Sequence, residues 1–271
     1  MSERGQDQLN ELIESILETS KYRNVNRDFI SRIGAQELGK HPKVKQAVKA
    51  TKNKLHVVAG AFLEYKPDFG RQFEKLARVA YSGNANELRQ VCVDIMALHS
   101  STRERLPILD QFYALTLGDL PPIRSVIDIA CGLNPLAIPW MPLVEGAKYE
   151  AYDIYEDMLS FLEQTMRLLH VRGQVHVGDI TQSPPDFKAD VAFVLKAIPC
   201  LEQIDKNVGS RLFESINAHH VLVSFPVRTL CGKSKGMTAN YENKFRALVA
   251  GKDWIVRRFD FPSELVFRIA K

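Results

Sequence analysis

The sequence is poor in the features that would point to a membrane, an oxidising compartment or a metal. No apolar run in its 271 residues approaches the ~20 residues that a helical membrane span requires. The N-terminal stretch MSERGQDQLNELIES is polar and acidic, where a secretory signal would be basic and then apolar. The chain therefore reads as cytoplasmic, with no membrane partner. Only four cysteines occur (Cys92, Cys131, Cys200 and Cys231), widely spaced and without a CxxC pair, so reduced thiols are expected rather than a disulfide framework. The seven histidines form no HExxH or comparable spacing, and His219-His220 precede a strand-like run, so no metal site is expected. Internal repeats and low-complexity tracts are also missing.

What is present is the balance of a globular protein, 45% hydrophobic and 25% charged residues. The net charge of +4 is unevenly placed. Residues 1–105 hold 18 basic and 13 acidic side chains, whereas residues 106–271 hold 18 and 19. Within Lys21–Lys54 there are 10 basic and 2 acidic residues. A basic face on one module is the electrostatic footprint of a polyanion binder; a solvated helix face is the alternative.

The first hundred residues carry helical periodicity, beginning with Leu9, Leu12, Ile13, Ile16 and Leu17. His41-Pro42 can open a helix whose apolar side is Val44, Ala47, Val48 and Leu55 and whose other faces carry Lys43, Lys45, Lys49, Lys52 and Lys54. After Pro121-Pro122 the pattern changes. Short apolar runs at 125–130, 148–152, 174–177, 190–195, 221–225, 254–259 and 265–269 alternate with helical stretches such as 155–169. This predicts an α/β fold with a mainly parallel, doubly wound seven-stranded sheet, closed by an antiparallel hairpin and preceded by an α-helical N-terminal domain. The boundary is placed between a helical, basic domain at 1–105 and a cofactor-binding domain at 106–271. Seven strands ending in a hairpin is the arrangement of class I methyltransferases, which the chain resembles in architecture.

The segment VIDIACGLNP (126–135) reads as strand, tight loop and helix start. Asp128 can orient the loop or a cofactor's amino group, Gly132 lets the backbone approach a ligand, and Pro135 suits a first helical turn. Asp153 ends the next strand about 20 residues later, where an acid can accept from both ribose hydroxyls. Asp179 follows the third strand, placed to accept from an adenine amino group, with Ile180 to cover the ring. A dinucleotide loop needs a second glycine for its pyrophosphate, and Cys131 and Asn134 do not supply one. The pattern favours a cofactor without phosphate, such as S-adenosyl-L-methionine.

Four motifs narrow the family: HSSTRERL (99–106), DIACGLNPLAIPWM (128–141), LKAIPCLEQ (195–203) and SFPVRTLCGKSKGM (224–237). Together they closely resemble the aminoglycoside-resistance 16S ribosomal RNA methyltransferases that modify N7 of guanine 1405, over nearly the whole chain. The resemblance implies an S-adenosyl-L-methionine-dependent enzyme acting on 16S rRNA in the 30S subunit, as a monomer, and conferring aminoglycoside resistance. It further implies that His99, Ser100, Ser101 and Arg105 fold over the methionine end, with Arg105 pairing its carboxylate and Thr102 as an extra hydroxyl. A capping motif at Ser101 or Thr102 is a compatible reading. Ala130 and Gly132 would line the loop, Asp153 and Ile154 the ribose, Asp179 and Ile180 the adenine, and Leu195 and Gln203 the methyl end, with Phe62 reaching in from the N-terminal domain. For RNA, the candidates are Lys43, Lys45 and Lys49 on the basic domain and Arg228, Lys233 and Lys235 on the loop after the fifth strand. Trp140 could stack on a flipped guanine or sit in helix core.

Guanine N7 has an in-plane lone pair and no proton, so no catalytic base is expected, and none of the Asn/Asp-Pro-Pro-aromatic type used for exocyclic amines stands after the fourth strand. Pro199-Cys200 there raises an alternative, an RNA cytosine-C5 methyltransferase with Cys200 as nucleophile. An alternative of another class is a non-catalytic rRNA-binding protein that keeps the fold.

Overall fold

The computed structural model describes residues 3–63, 65–228 and 236–271. The chain begins with helices α1 (Glu3–Leu17), α2 (Arg27–Leu38), α3 (Val44–Leu55), α4 (Phe69–Ser82), α5 (Ala85–Met96), α6 (Ser100–Arg103) and α7 (Leu109–Leu117). Local chemistry sets several starts. The side chains of Asn26, Asp68 and Asn84 accept from backbone N–H groups of the turns they open. The turn α4–α5 uses Gly83 at φ +72°, a left-handed conformation that costs glycine little. At its C-terminal end α3 runs directly into one wider turn of π-helix, His56–Gly60.

The seven strands are β1 (Ile123–Ile129), β2 (Leu143–Asp153), β3 (Arg172–Val177), β4 (Ala189–Leu195), β5 (Ala218–Pro226), β6 (Ile255–Asp260) and β7 (Glu264–Ala270). They form one sheet in the order β3-β2-β1-β4-β5-β7-β6. β1 to β5 are mutually parallel, while β7 is antiparallel to both β5 and β6. The alternating strand-helix reading and the closing hairpin are thus both observed. Helices α8 (Glu156–Leu168), α9 (Ile198–Leu201), α10 (Val208–Ser215) and α11 (Met237–Val249) follow, and 3-10 turns at Leu106–Ile108 and Asn134–Trp140 complete the described elements.

Successive side chains of a strand point to opposite faces, and both faces here are covered. Val126, Val191, Phe193, Leu222 and Val266 pack into one core, shared with α1–α5, α7 and α8. Ile127, Ile129, Ala192, Val194, Val221, Val223 and Phe267 pack into the other, against α9–α11. The helical N-terminal segment and one face of the sheet therefore share a continuous core. The chain also ties them by backbone: Asn26 N donates to Ile154 O at 2.8 Å and Glu156 N to Asn24 O at 2.9 Å. The sheet has its switch point at β1, flanked by β2 on one side and β4 on the other, and ligands of open α/β sheets bind beyond the carboxyl ends of such strands.

Candidate cofactor cleft

At that switch point lies an open cleft. Ala130, Asp153, Ile154, Asp179, Ile180 and Leu195 line it from the strand ends, and Phe62, His99 and Ser101 from the helical side. Nine of the residues expected from sequence are therefore brought together.

Two residues of the cleft wall and one glycine behind it hold left-handed backbone. Ala130 (φ +50°), Gly132 (φ +50°) and Lys196 (φ +57°) all follow β1 or β4. Such conformations are costly for side chains larger than glycine's hydrogen and persist where the surroundings over-determine them. Gly132 is also crowded: a Cβ there would lie 2.8 Å from His99 Cε1. Its N–H donates to Asp153 Oδ2 at 2.9 Å, and Ile154 N–H donates to Asp153 Oδ1 at 2.7 Å. Asp153 thus clamps the loop after β1 to the end of β2. Burial raises its pKa, and the backbone N–H groups around it oppose that rise.

Beneath the loop runs a buried polar network. Arg105, 1% exposed, donates through Nε and Nη2 to Glu264 at 2.9 and 3.1 Å and through Nη1 to Asn134 Oδ1 at 2.8 Å. Asn134 in turn donates to Asp128 Oδ2 at 2.9 Å, which also accepts from the Tyr149 hydroxyl at 2.6 Å. Burial pushes the Asp128 carboxyl up to about 6. Glu264 would likewise be raised by burial, but Arg105 and Lys196 outweigh it and hold its pKa below the ordinary value. The Lys196 ammonium sits 3.3 Å from Glu264, 2.8 Å from Glu104 and 2.8 Å from Ser101 O.

These contacts correct three expectations and separate the two readings of Trp140. Arg105 does not line the cleft as a free partner for a carboxylate; its guanidinium is committed to Glu264 and Asn134, because a fully buried cation needs a buried anion. Thr102 caps instead of reaching a ligand, its hydroxyl donating to Met96 O at 2.6 Å. Gln203 is exposed outside the cleft with its amide toward Pro199 O, since Ala197, Cys200, Leu201 and Ile204 share the inward helical face and position 203 falls beside it. Trp140 takes the core alternative, packing partly buried against the main core and donating to Asp110 at 2.7 Å with Arg89 over its ring. Ser100 and Gly132 stand behind the lining, Ser100 buried and Gly132 bonded to Asp153.

Cys200 lines the cleft, but burial pushes its thiol up to about 12, and the Lys196 ammonium turns to Glu104 and Glu264. The setting is opposite to the electropositive one a reactive thiolate needs.

The cleft fits a nucleoside cofactor on polar grounds. Three buried polar atoms at or beside it have no hydrogen-bond partner: His99 Nδ1, Ser100 Oγ and Tyr155 Oη. Buried groups of this kind are normally satisfied, so they await a ligand's polar atoms. His99 stacks on Phe62 with centroids 5.6 Å apart. Burial, then the charges of Lys196, Arg105 and Arg103, push its pKa down to about 3, so it is neutral at pH 7. A depressed folded-state value makes the His99 contribution to stability complete above the ordinary 6.5 and lost as pH falls toward 3. We expect wild-type protein to lose about 1–2 kcal/mol from this group between pH 7.5 and 5. In thermal melts His99→Asn should show a smaller drop in Tm over that range; an equal drop would refute the assignment.

Several lining residues were not legible in advance. Phe29, Val58 and Ala59 arrive from α2 and the π turn, and Tyr152, Tyr155 and Ala197 complete the wall. Arg32 of α2 donates through Nε to Asp179 Oδ2 at 2.5 Å and through Nη2 to Thr181 Oγ1 at 3.1 Å. Only Lys196 left a signal, a charge directly after the apolar β4 run.

Lys43, Lys45 and Lys49 are exposed and carry no ion pair among the described residues. Other basic residues of that stretch serve the fold: Lys40 and Lys54 pair with the buried Glu37, and Arg27 with Glu14. Arg228 is exposed after β5, and Lys233 and Lys235 lie outside the described residues.

The profile of the family described as "Ribosomal RNA methyltransferase (FmrO)" matches residues 18–268. The chain is 32% identical to the 16S rRNA (guanine(1405)-N(7))-methyltransferase of Micromonospora rosea, covering 98% of each protein. It is also 32% identical to the enzyme of the same name from Serratia marcescens, covering 97% of this chain and 98% of that one. Among solved structures, the 16S rRNA methyltransferase RmtF in complex with S-adenosyl-L-homocysteine matches with TM-score 0.83 and 29% identity, over 100% of this chain and 99% of that one. The 16S rRNA methylase RmtB matches with TM-score 0.76 and 27% identity, over 97% and 98%.

Proposed function

This chain belongs to the ribosomal RNA methyltransferase (FmrO) family, and we propose that it transfers a methyl group from S-adenosyl-L-methionine to N7 of guanine 1405 in 16S rRNA. The observation that carries this reading is the cleft at the β1 switch point, with Asp153 at its floor, in a chain matched end to end by relatives named for that reaction.

The bound cofactor supplies an electrophilic sulfonium methyl group. This chain's residues supply the rest. Asp153 offers its remaining carboxylate lone pairs to the ribose hydroxyls. Ile154 and Ile180 give apolar walls, and Phe62 stacked on His99 closes the helical side. His99 and the Ser101 turn face the methionine end, with Ser100 buried behind them. Leu195 at the end of β4 and Cys200 in α9, both in the cleft wall, keep water from the methyl end. Guanine N7 presents a lone pair without a proton, so positioning replaces base catalysis. The protonated Cys200 thiol disfavours attack on a cytosine ring.

Methylation at N7 blocks an acceptor and adds positive charge to the base, which repels polycationic aminoglycosides. Methylating purified 30S subunits and mapping the modified nucleotide by base-specific cleavage and primer extension tests the assignment; modification at any other nucleotide overturns it. In parallel, expression in a sensitive bacterium should raise resistance to gentamicin and kanamycin.

No described helix is long and apolar enough to cross a membrane. We place the enzyme in the cytoplasm, acting as a monomer on the assembled 30S subunit. Lys43, Lys45 and Lys49 present an exposed basic face at the start and along the first turns of α3, and Arg228, Lys233 and Lys235 would add phosphate contacts near the target base. Replacing Lys43, Lys45 and Lys49 together by glutamate should weaken 30S binding by about 10-fold or more at 150 mM salt and flatten the salt dependence of binding. Filter binding across a salt series reads this directly, and unchanged affinity at low salt would remove these lysines from the interface.

A further inference from the structure

Arg32 falls within the basic stretch that reads as an RNA-docking face, yet its guanidinium does not face solvent. It crosses from α2 to the loop after β3 and engages both residues that flank Ile180. Nε and Nη2 reach Asp179 Oδ2 at 2.5 Å, and Nη2 also reaches Thr181 Oγ1 at 3.1 Å. The other Asp179 oxygen accepts from Thr181 N and Oγ1 at 3.0 and 2.6 Å. The Asp179–Thr181 turn is thereby held from two sides. The pair is mostly shielded, with side-chain exposures of 21% and 9%. Phe29, one helical turn before Arg32, lines the same cleft and lies 5.8 Å beneath its guanidinium. Arg211 comes from the opposite side, but it reaches the carbonyl of Thr181 and the carboxylate of Asp205, not Asp179.

We infer that Arg32 is a positioning residue of the cofactor site, supplied by the helical N-terminal segment, which fixes the Asp179–Ile180 turn and so determines selectivity for a 6-aminopurine. The inference rests on the reading that this turn faces the adenine. An unrestrained carboxylate at the end of a loop rotates and can meet either a donor or, through water, an acceptor. A carboxylate pinned through Oδ2 by a two-pronged guanidinium and through Oδ1 by Thr181 keeps one orientation in the cleft wall. A 6-amino group then meets an acceptor and a 6-oxo group meets like charge. The segment that docks RNA is in this way also half of the adenine pocket: the backbone links Asn26–Ile154 and Asn24–Glu156 anchor the start of α2, and Arg32 anchors its middle.

The test is the affinity ratio between S-adenosylhomocysteine and S-inosylhomocysteine, measured by calorimetry on the full chain. Wild-type protein should prefer the adenosyl compound by about 100-fold or more, as sites built around one hydrogen bond do. Arg32→Met should weaken the adenosyl compound about 10-fold while leaving the inosyl compound unchanged, and so lower the ratio about 10-fold, the scale of losing one charged hydrogen bond's direction. Arg32→Lys, which keeps the charge but cannot span Asp179 and Thr181, should give an intermediate ratio, and it serves if the methionine variant does not fold. Equal weakening of both compounds, with the ratio kept in either variant, would show a purely structural Arg32 and overturn the inference. Asp179→Asn separates the two readings. If that variant keeps the wild-type ratio, the adenine assignment of Asp179 itself is wrong. If it collapses the ratio while both Arg32 variants preserve it, Asp179 stands and the role of Arg32 falls.

Discussion

Replacing Asp153 with alanine is expected to weaken binding of S-adenosyl-L-methionine by about 100-fold or more, with the protein still folded. Two ribose hydroxyls donating to one carboxylate are worth about 1.5–3 kcal/mol each, and 1.4 kcal/mol is tenfold in affinity. A second loss adds to the first. Asp153 is the acceptor for Gly132 N–H, so its removal also frees the loop after β1 that the ligand must approach. Asp153→Asn sharpens the point. It keeps the shape but sets an amide N–H against either Gly132 N–H or a ribose hydroxyl, so it too should lose at least about tenfold. Because the Asp153 pKa is raised by burial, wild-type affinity should fall with decreasing pH at higher pH than an ordinary carboxylate would dictate. Titration calorimetry gives all three quantities. A Kd for Asp153→Ala within threefold of wild type would mean that the ribose is held elsewhere.

Glu264→Gln should be the most destabilising conservative change in the protein. It leaves Arg105 buried without an anion and removes one partner of Lys196. Breaking a buried pair by deleting one member costs about 3–5 kcal/mol, which for a domain of this size lowers Tm by roughly 10 °C. Arg105→Met should cost less, because Glu264 retains Lys196, and the double variant should cost less than the sum of the two singles. Denaturant unfolding measures the cycle. If Glu264→Gln costs under about 1 kcal/mol, the network is a surface-like pair of the weak kind. The sign with pH is fixed by the lowered Glu264 pKa: its contribution is present above the ordinary 4.5 and disappears as pH falls below it. Cofactor affinity should follow stability here, since Asn134 links Arg105 to Asp128 under the loop.

All seven runs read from sequence correspond to β1–β7; the central strands were legible because burial on both faces demands continuous apolar runs, whereas the exposed edge strands β3 and β6 were legible from shorter ones. The acids Asp153 and Asp179 were legible because strand ends in a doubly wound sheet face the ligand side. The segment His99–Arg105 was found by family resemblance, and there the residue types misled. An arginine beside serines suggests a carboxylate clamp, but Arg105 turns inward to Glu264, which lies 159 positions away. Gln203 was lost to a helical offset of one residue, which local pattern cannot settle when the helix has only four residues. Arg32 was counted as one charge among ten, and nothing within Lys21–Lys54 marks it as different from Lys43 or Lys49.

By itself the sequence determined the sheet, the switch point, the acid after β2 and the family, because these depend on local periodicity and on motifs whose parts are close along the chain. Only the tertiary structure decided which basic residues face outward and which are spent inside. It paired Arg105 with Glu264 and Arg32 with Asp179, and it brought Phe29, Val58 and Ala59 over the cleft. The physical reason is that a charge's role depends on what lies within a few ångströms of it, and in these cases the partner comes from a distant part of the chain.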